Sequence, residues 1–330
     1  MSKTFILGIE TSCDETAAAV VADGRTLMSN VIASQIDTHR IYGGVVPEIA
    51  ARKHVESISY IVDEALKQAD LSLADIHGVA VSNGPGLVGA LLVGLSFAKS
   101  LAFARQIPLI GVHHIYSHIC ANYLDTAWEP PFICLVVSGG HTHLIEVKDY
   151  HNCEVLGRTR DDAAGEAFDK VGRSLGLPYP GGPEIDRLAA IGDKEAILFP
   201  RTHFDDSLDF SFSGLKSAVL QYLQKNKDGK LENIAASFQQ AVIDVLVSRT
   251  LEACKQKGLN KIALAGGVAA NKGLRNAMTE ACAKSGIELQ LPKAVYCTDN
   301  AAMVASGGYF HHIKGVKDKF DLNAYPNMDI

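Results

Sequence analysis

"PFICLVVSGGHTHLIEVKD", residues 131–149, reads as a buried apolar run, a Gly-Gly turn and a second apolar run. Residues 4–22, "TFILGIETSCDETAAAVVA", follow the same plan with an acidic turn in place of the glycines. Runs of this length bounded by turn residues predict strands. Each pair leads into a third strand, "RTLMSNVIASQ" (25–35) after the Asp23-Gly24 hairpin turn, and "CEVLGRTR" (153–160) in the second half. Strand–turn–strand–strand followed by helices therefore occurs twice, and the chain reads as two duplicated lobes.

Outward from these hairpins the two halves continue alike. The first gives a helix over "PEIAARKHVESISYIVDEALKQA" (47–69), with apolar residues at helical spacing, and a strand "IHGVAVSNGPG" (76–86). A small-residue helix, "LVGALLVGLSFAKSLAFAR" (87–105), and a strand "IPLIGV" (107–112) follow. The second gives a long amphipathic helix (233–258), then "KIALAGGVAANKGLRNAMTEACAKSG" (261–286) as strand, glycine turn and helix. A strand "IELQLP" (287–292) and a final helix in "TDNAAMVASGGYFHH" (298–312) complete it. Strands alternating with helices predict an α/β fold with largely parallel pairing. The expected arrangement is two lobes facing one cleft, with ligands at the carboxyl ends of the strands. The expected boundaries are 1–111 for the first lobe, 112–296 for the second, and 297–330 crossing back to the first; "DTAWEPP" (125–131) reads as a linker.

A length of 330 residues suits two domains, and 47% hydrophobic with 21% charged residues is a globular balance. The net charge of −6 disfavours bulk binding of nucleic acid, which needs clustered Lys and Arg. Any RNA contact is then local or shared with a partner. The basic cluster "HHIKGVKDK" (311–319) reads first as a solvated end. Seven scattered cysteines without a C-x-x-C pair point to free thiols in a reducing compartment. The N-terminus lacks the long apolar core of a signal peptide. The longest apolar stretch, 87–98, is shorter than the ~20 residues that span a bilayer. The expectation is a cytoplasmic protein without membrane contact.

Three features bear on chemistry. In "GVHHIYSH" (111–118), a helix after Val112 would put His114 and His118 on one face, one turn apart. They read as a metal pair or as ordinary histidines. A zinc-protease helix needs Glu after the first His, and Ile115 stands there instead. Asp299 is either a third ligand or part of a helix cap, and the residues alone favour the cap. Two His and one Asp would leave coordination positions open and suit iron or zinc. Glycine turns after strands occur at "VVSGGHTH" (136–143), "YPGGPEID" (179–186) and "LAGGVAANKGLR" (264–275). Together they point to a nucleotide, with Asp169, Asp186 and Asn271 as polar contacts or plain helix caps. Finally, "ETSCDET" (10–16) gathers Glu10, Asp14 and Glu15 into the first turn, as proton acceptors, metal positioners or solvated carboxylates. Cys13 has no neighbour that would lower its pKa and is not read as a nucleophile.

Taken together, "GIETSCDET", "GPGLVGALLVGLSFAKSLA", "GVHHIYSH", "LVVSGGHTHL", "DDAAGEAFDKVGRSLGLPYPGGPEID", "FSFSGLK", "LAGGVAANKGLR" and "YCTDNAAMVA" resemble the TsaD (Gcp) family of tRNA-modifying proteins. The resemblance runs from residue 5 to about residue 310. It implies the actin-like, two-lobed ATPase fold. It also implies transfer of a threonylcarbamoyl group from threonylcarbamoyl-adenylate to N6 of the adenosine beside the anticodon, in tRNAs reading codons that begin with A, with loss of AMP. The implied metal ligands are His114, His118 and Asp299, which overturns the preference for a cap. The implied ion is iron, with zinc as the alternative. The implied adenylate-binding residues are Val136, Val137, Ser138, Gly139, Gly140, Asp169, Gly182, Asp186 and Asn271; ATP is a further candidate ligand.

The implied partners are the paralogue TsaB, the ATPase TsaE and the tRNA anticodon loop, with helix 87–105 as a pairing face or an internal core helix. Asp14 or Glu15 is the expected proton acceptor. Relatives carry Glu in the middle of the histidine motif where this chain has Tyr116, which leaves that family residue without a counterpart. Rival readings are a metallopeptidase, a sugar or acetate kinase, and a nucleotide-binding scaffold without turnover.

Overall fold

The computed structural model describes residues 3–226 and 228–330. It divides into two compact units, Met1–Glu129 with Thr298–Ile330, and Pro130–Cys297.

In the first unit, β1 (Phe5–Glu10), β2 (Glu15–Ala22) and β3 (Thr26–Ser34) form an antiparallel meander. Asp23 and Gly24 both take positive φ, 52° and 70°, as the two-residue turn that matches strand twist requires. A short α1 (Ile36–Arg40) leads to α2 (Pro47–Gln68), which opens on a proline whose missing N–H costs nothing there. Next come β4 (Gly78–Gly84), α3 (Val88–Arg105), β5 (Leu109–His113) and α4 (His114–Cys120). The sheet order is β3-β2-β1-β4-β5, with β4 and β5 parallel to β1. β1, β2 and β4 are buried almost throughout, so they read as continuous apolar runs.

The second unit repeats the plan. The strands β6 (Phe132–Val137), β7 (Thr142–Val147) and β8 (Cys153–Arg158) make the meander. The helices α5 (Ala164–Ser174), α6 (Gly181–Ala189), α7 (Ser213–Lys225) and α8 (Leu231–Lys257) follow. Then come β9 (Lys261–Ala265), α9 (Lys272–Ser285), β10 (Glu288–Gln290) and α10 (Ala294–Cys297). The order β8-β7-β6-β9-β10 matches the first sheet strand for strand. The expected amphipathic α8 is instead buried nearly all round at its start, from Ile234 through Gln239. It is the central core helix of this unit.

The last helix, α11 (Ala301–Ile313), belongs to the first unit and lies on β1 and β4. Its small residues make this possible. A Cβ on Gly8 would meet the Ala301 carbonyl at 2.3 Å, and one on Gly308 would meet Ala80 Cβ at 2.3 Å.

The expected boundary at 111/112 moves to 129/130. Residues 112–129 stay with the first unit because α4 packs on α11 and Trp128 is buried. Arg25 Nη1 also donates to the Thr126 and Trp128 carbonyls, at 3.0 Å each. The small-residue stripe of α3 is internal: Ala90, Gly94 and Ala98 are buried, and Thr11 Oγ donates to the Ala90 carbonyl. Its outer face exposes Val88, Leu92 and Phe103. Among the described residues α3 is the helix long and apolar enough to cross a membrane, and here it lies against α2 and β4.

Candidate metal centre and nucleotide site

The helix α4 begins directly at the end of β5, so His114 stands at its first position and His118 one turn on. The preceding His113 caps the helix: its Nδ1 accepts the Ile115 N–H at 3.1 Å. At the start of α11, Asn300 is the cap, its Oδ1 accepting the Met303 N–H at 3.1 Å. Asp299 is thereby left to face the histidines. Its Oδ1 lies 3.1 Å from His118 Nε2 and 3.6 Å from His114 Nε2. One ligand atom from each of the three residues lies within 4.8 Å of the others.

Two observations test whether a cation fits. His118 is fully buried, yet neither ring nitrogen has a hydrogen-bond partner, and its contact with Asp299 lacks hydrogen-bond geometry. A buried polar atom without a partner is costly unless something else satisfies it. A cation accepting both the imidazole and the carboxylate does so, and two nitrogens with one oxygen suit a divalent transition metal. The second observation is electrostatic. Burial pushes His114 down, but Asp299 and Glu10 outweigh it and raise the ring to about 9. The site holds positive charge even when only a proton supplies it.

Glu10, grouped above with the acidic turn, is the last residue of β1 and is wholly buried. Its Oε2 lies 3.2 Å from His114 Nδ1, Ser82 Oγ donates to the same oxygen, and Oε1 accepts the Ser12 N–H. Burial raises this carboxyl, yet His114 beside it holds it below its ordinary value. Glu15 is pushed up to about 10 by burial and by Asp299 and Asp14. It is held neutral and in that state is a donor. Burial and the same acids drive the Cys13 thiol far upward, so it is no nucleophile.

The nucleotide candidates all lie in the second unit. Val136 and Val137 end β6, and Ser138 starts the turn, its N–H donating to the His141 carbonyl at 2.8 Å. Gly139 and Gly140 have open space where a Cβ would stand. The turn sits on the start of α5, where a Cβ on Gly165 would meet the Ser138 carbonyl at 2.5 Å. Asp169 Oδ1 accepts the Gly181 N–H at 2.7 Å and so fixes the start of α6, where a Cβ on Gly182 would meet Phe168 Cβ at 3.9 Å, an ordinary contact. Asp186 accepts the Lys272 and Gly273 N–H groups at 3.1 and 3.3 Å. Asn271 caps α9 through the Leu274 N–H at 2.8 Å.

Gln239, absent from the sequence-based set, joins the last two. Its Nε2 donates to Asp186 at 3.1 Å and its Oε1 accepts from Asn271 Nδ2 at 2.7 Å. Asp186, Gln239, Lys272 and Gly273 line one end of a cavity of about 660 Å³. Nothing in the local sequence marks Gln239, since a polar residue on a long helix reads as solvated. The metal and nucleotide groups thus belong to different units.

A duplicated sheet of this order, with its chemistry at the strand ends, defines a protein of the actin-like ATPase fold. Solved structures share it. The T. kodakarensis HypF structure covers 97% of this chain, and 49% of its own length, at 15% identity and a TM-score of 0.66. Component A of the Acidaminococcus fermentans (R)-2-hydroxyglutaryl-CoA dehydratase covers 94% of this chain and 99% of its own, at 18% identity and a TM-score of 0.56.

Within that class the sequence is more specific. The TsaD profile, described as tRNA N6-adenosine threonylcarbamoyltransferase, matches residues 26–306. A protein of that name from Clostridium botulinum strain 657 is 59% identical over 98% of this chain and 97% of its own length. Another from Clostridioides difficile strain 630 is 56% identical over 100% and 99%. The chain belongs to the TsaD family of tRNA N6-adenosine threonylcarbamoyltransferases.

Proposed function

We propose that this chain transfers the threonylcarbamoyl group of threonylcarbamoyl-adenylate to N6 of the adenosine beside the anticodon of tRNAs reading codons that begin with A. The observation that carries this reading is the 59% identity, over nearly the whole of both chains, to a tRNA N6-adenosine threonylcarbamoyltransferase. In the reaction the N6–carbon bond forms, the bond from the carbamoyl carbon to the adenylate oxygen breaks, AMP leaves and N6 loses a proton.

The second unit holds the adenylate in this scheme. Backbone groups of the Ser138–Gly140 turn approach its phosphate, which open glycines permit. Asp169 and Gly182 shape the start of α6 beside it. Asp186 and Asn271, linked through Gln239, face the ribose and base. His114, His118 and Asp299 hold a divalent ion, iron before zinc, which supplies Lewis-acid polarisation of the transferred group. Asp14 takes the proton of N6. Glu15 takes that role only when deprotonated, which burial opposes first and the Asp299 and Asp14 charges next.

A TsaB paralogue docks on the outer face of α2 and α3, around Val55, Val88 and Leu92, and a TsaE ATPase joins it in the cytoplasm. The tRNA enters by its anticodon loop, whose unstacked base can be splayed out. The net charge of −6 is why tRNA grip is shared with partners.

The test mixes the protein with TsaB, TsaE, unmodified tRNA and threonylcarbamoyl-adenylate. Nucleosides from digested tRNA are then read by mass spectrometry. Threonylcarbamoyladenosine that disappears with His118→Ala supports both transfer and metal centre. Its absence with wild-type protein and active partners overturns the transferase reading.

A further inference from the structure

We propose that Glu10 is a positioning residue for the metal centre: it accepts the Nδ1 proton of His114 and thereby aims the Nε2 lone pair at the cation. The proposal rests on the metal centre described above and concerns how one of its ligands is held.

The geometry separates the two nitrogens of His114. Nε2 faces Asp299 Oδ1 at 3.6 Å, whereas Nδ1 faces Glu10 Oε2 at 3.2 Å and Ser12 Oγ at 3.2 Å. An ionised carboxylate only accepts, so the proton belongs on Nδ1 and the lone pair on Nε2. Glu10 cannot swing away from this duty. Its Oε1 is tied to the Ser12 N–H, its Oε2 takes the Ser82 hydroxyl, and its side chain is wholly buried. It sits on a rigid strand end, not on a loop. A carboxylate behind a ligating histidine fixes the ring and raises its basicity.

His118 shows the contrast. Its Nδ1 has no hydrogen-bond partner, so nothing comparable fixes its tautomer. The centre therefore has one ring hydrogen-bonded from behind and one held by packing alone. Glu10 also completes the charge. With neutral imidazoles, its carboxylate adds a second negative charge to that of Asp299 beside the cation.

The experiment measures Zn²⁺ binding by competition with a chromophoric chelator, with wild type and Glu10→Gln side by side. Thermal melting checks the fold. Gln keeps the shape but removes the charge, and a fall in Zn²⁺ affinity of about 10–100-fold is expected. The Zn²⁺-loaded wild type is also read by long-range ¹H–¹⁵N NMR of its histidines, which needs no variant. The expected result is His114 protonated at Nδ1 with the metal on Nε2. Equal Zn²⁺ affinity in a folded Glu10→Gln protein overturns the role of Glu10. So does a metal on Nδ1 of His114 in the wild type. Wild type that binds no Zn²⁺ overturns the metal centre itself, and the positioning role falls with it.

Discussion

Two hairpins of the same design end in opposite chemistry. In the first unit the chain leaves β1 as Glu10-Thr11-Ser12, and the groups offered there are side chains: a buried carboxylate and, from α4 and α11, two imidazoles and a second carboxylate. In the second unit it leaves β6 as Ser138-Gly139-Gly140, and the groups offered are backbone. At the parallel strands the two units are alike: β4 ends at Gly84, with φ +157°, and β9 runs into Gly266, with φ +87°. The duplicated sheet determines where chemistry can be placed. On the proposed function, the turn residues then decide between a side-chain cage for a cation and a backbone cradle for an anion.

The comparison breaks most sharply at His118. Replacing it with Ala removes a proposed ligand that belongs to the first unit. Bound metal should fall to background and transfer should drop by more than about 100-fold, since even partners behind a ligand are worth 10–100-fold. Binding of AMP, measured by calorimetry, should stay within twofold. A large loss of AMP affinity would mean that the two halves do not divide their tasks as argued.

Glycine sharpens the second half. A methyl on Gly266 would lie 2.3 Å from the Val137 carbonyl, and its φ of +87° is strained for any other residue. Gly266→Ala should cost roughly 2–4 kcal/mol, from left-handed strain plus overpacking. Gly139 has open space instead, so Gly139→Ala should change stability by no more than about 0.5 kcal/mol. It should nevertheless weaken AMP, because the methyl occupies the approach to the phosphate. Chemical denaturation and calorimetry separate the two outcomes. Equal stability losses would show that the turn is structural and not a cradle.

The sequence carried the duplication well, because apolar runs bounded by turn residues are local signals. The turn at Asp23-Gly24 and the alternation of strand and helix were legible for the same reason. The histidine spacing placed His114 and His118 on one face, but Asp299 needed the family resemblance. A TDN stretch before a helix reads equally as a cap, and only the structure assigns the cap to Asn300. Glu10 looked like one of three turn carboxylates; strand register is what buries it. Gln239 and the boundary at 129/130 depend on contacts between segments far apart in the chain, which no local pattern encodes.

A smaller effect distinguishes the units by pH. In the metal-free protein Asp299 and Glu10 hold His114 protonated up to about 9 and Glu15 is neutral up to about 10. A metal ligand must be deprotonated, so a cation entering at pH 7 expels the His114 proton. Zn²⁺ affinity should therefore climb by about tenfold per pH unit from 7 towards 9 and flatten above it. Calorimetry in buffers of different ionisation enthalpy should count about one proton released. AMP binding to the other unit should show no matching rise. Release of no proton would contradict the placement of the cation beside His114.

The smallest effect tests a device that both units share. Asn300 caps α11 beside the metal ligands, and Asn271 caps α9 beside the glycine turn. Each accepts one backbone N–H, so Ala at either place should cost about 1 kcal/mol of stability, and Ser should restore most of it. Function should then divide the pair. Asn271 also gives Nδ2 to Gln239, which holds Asp186, and Ser cannot reach that partner. Asn271→Ser should thus recover stability while leaving AMP weakened a few-fold. In Asn300→Ser both stability and Zn²⁺ affinity should return, because the ligand is its neighbour Asp299 and not the cap. If Asn300→Ser lost Zn²⁺ while keeping its stability, the cap itself would belong to the centre, and the clean separation of scaffold from site chemistry in the first unit would not hold.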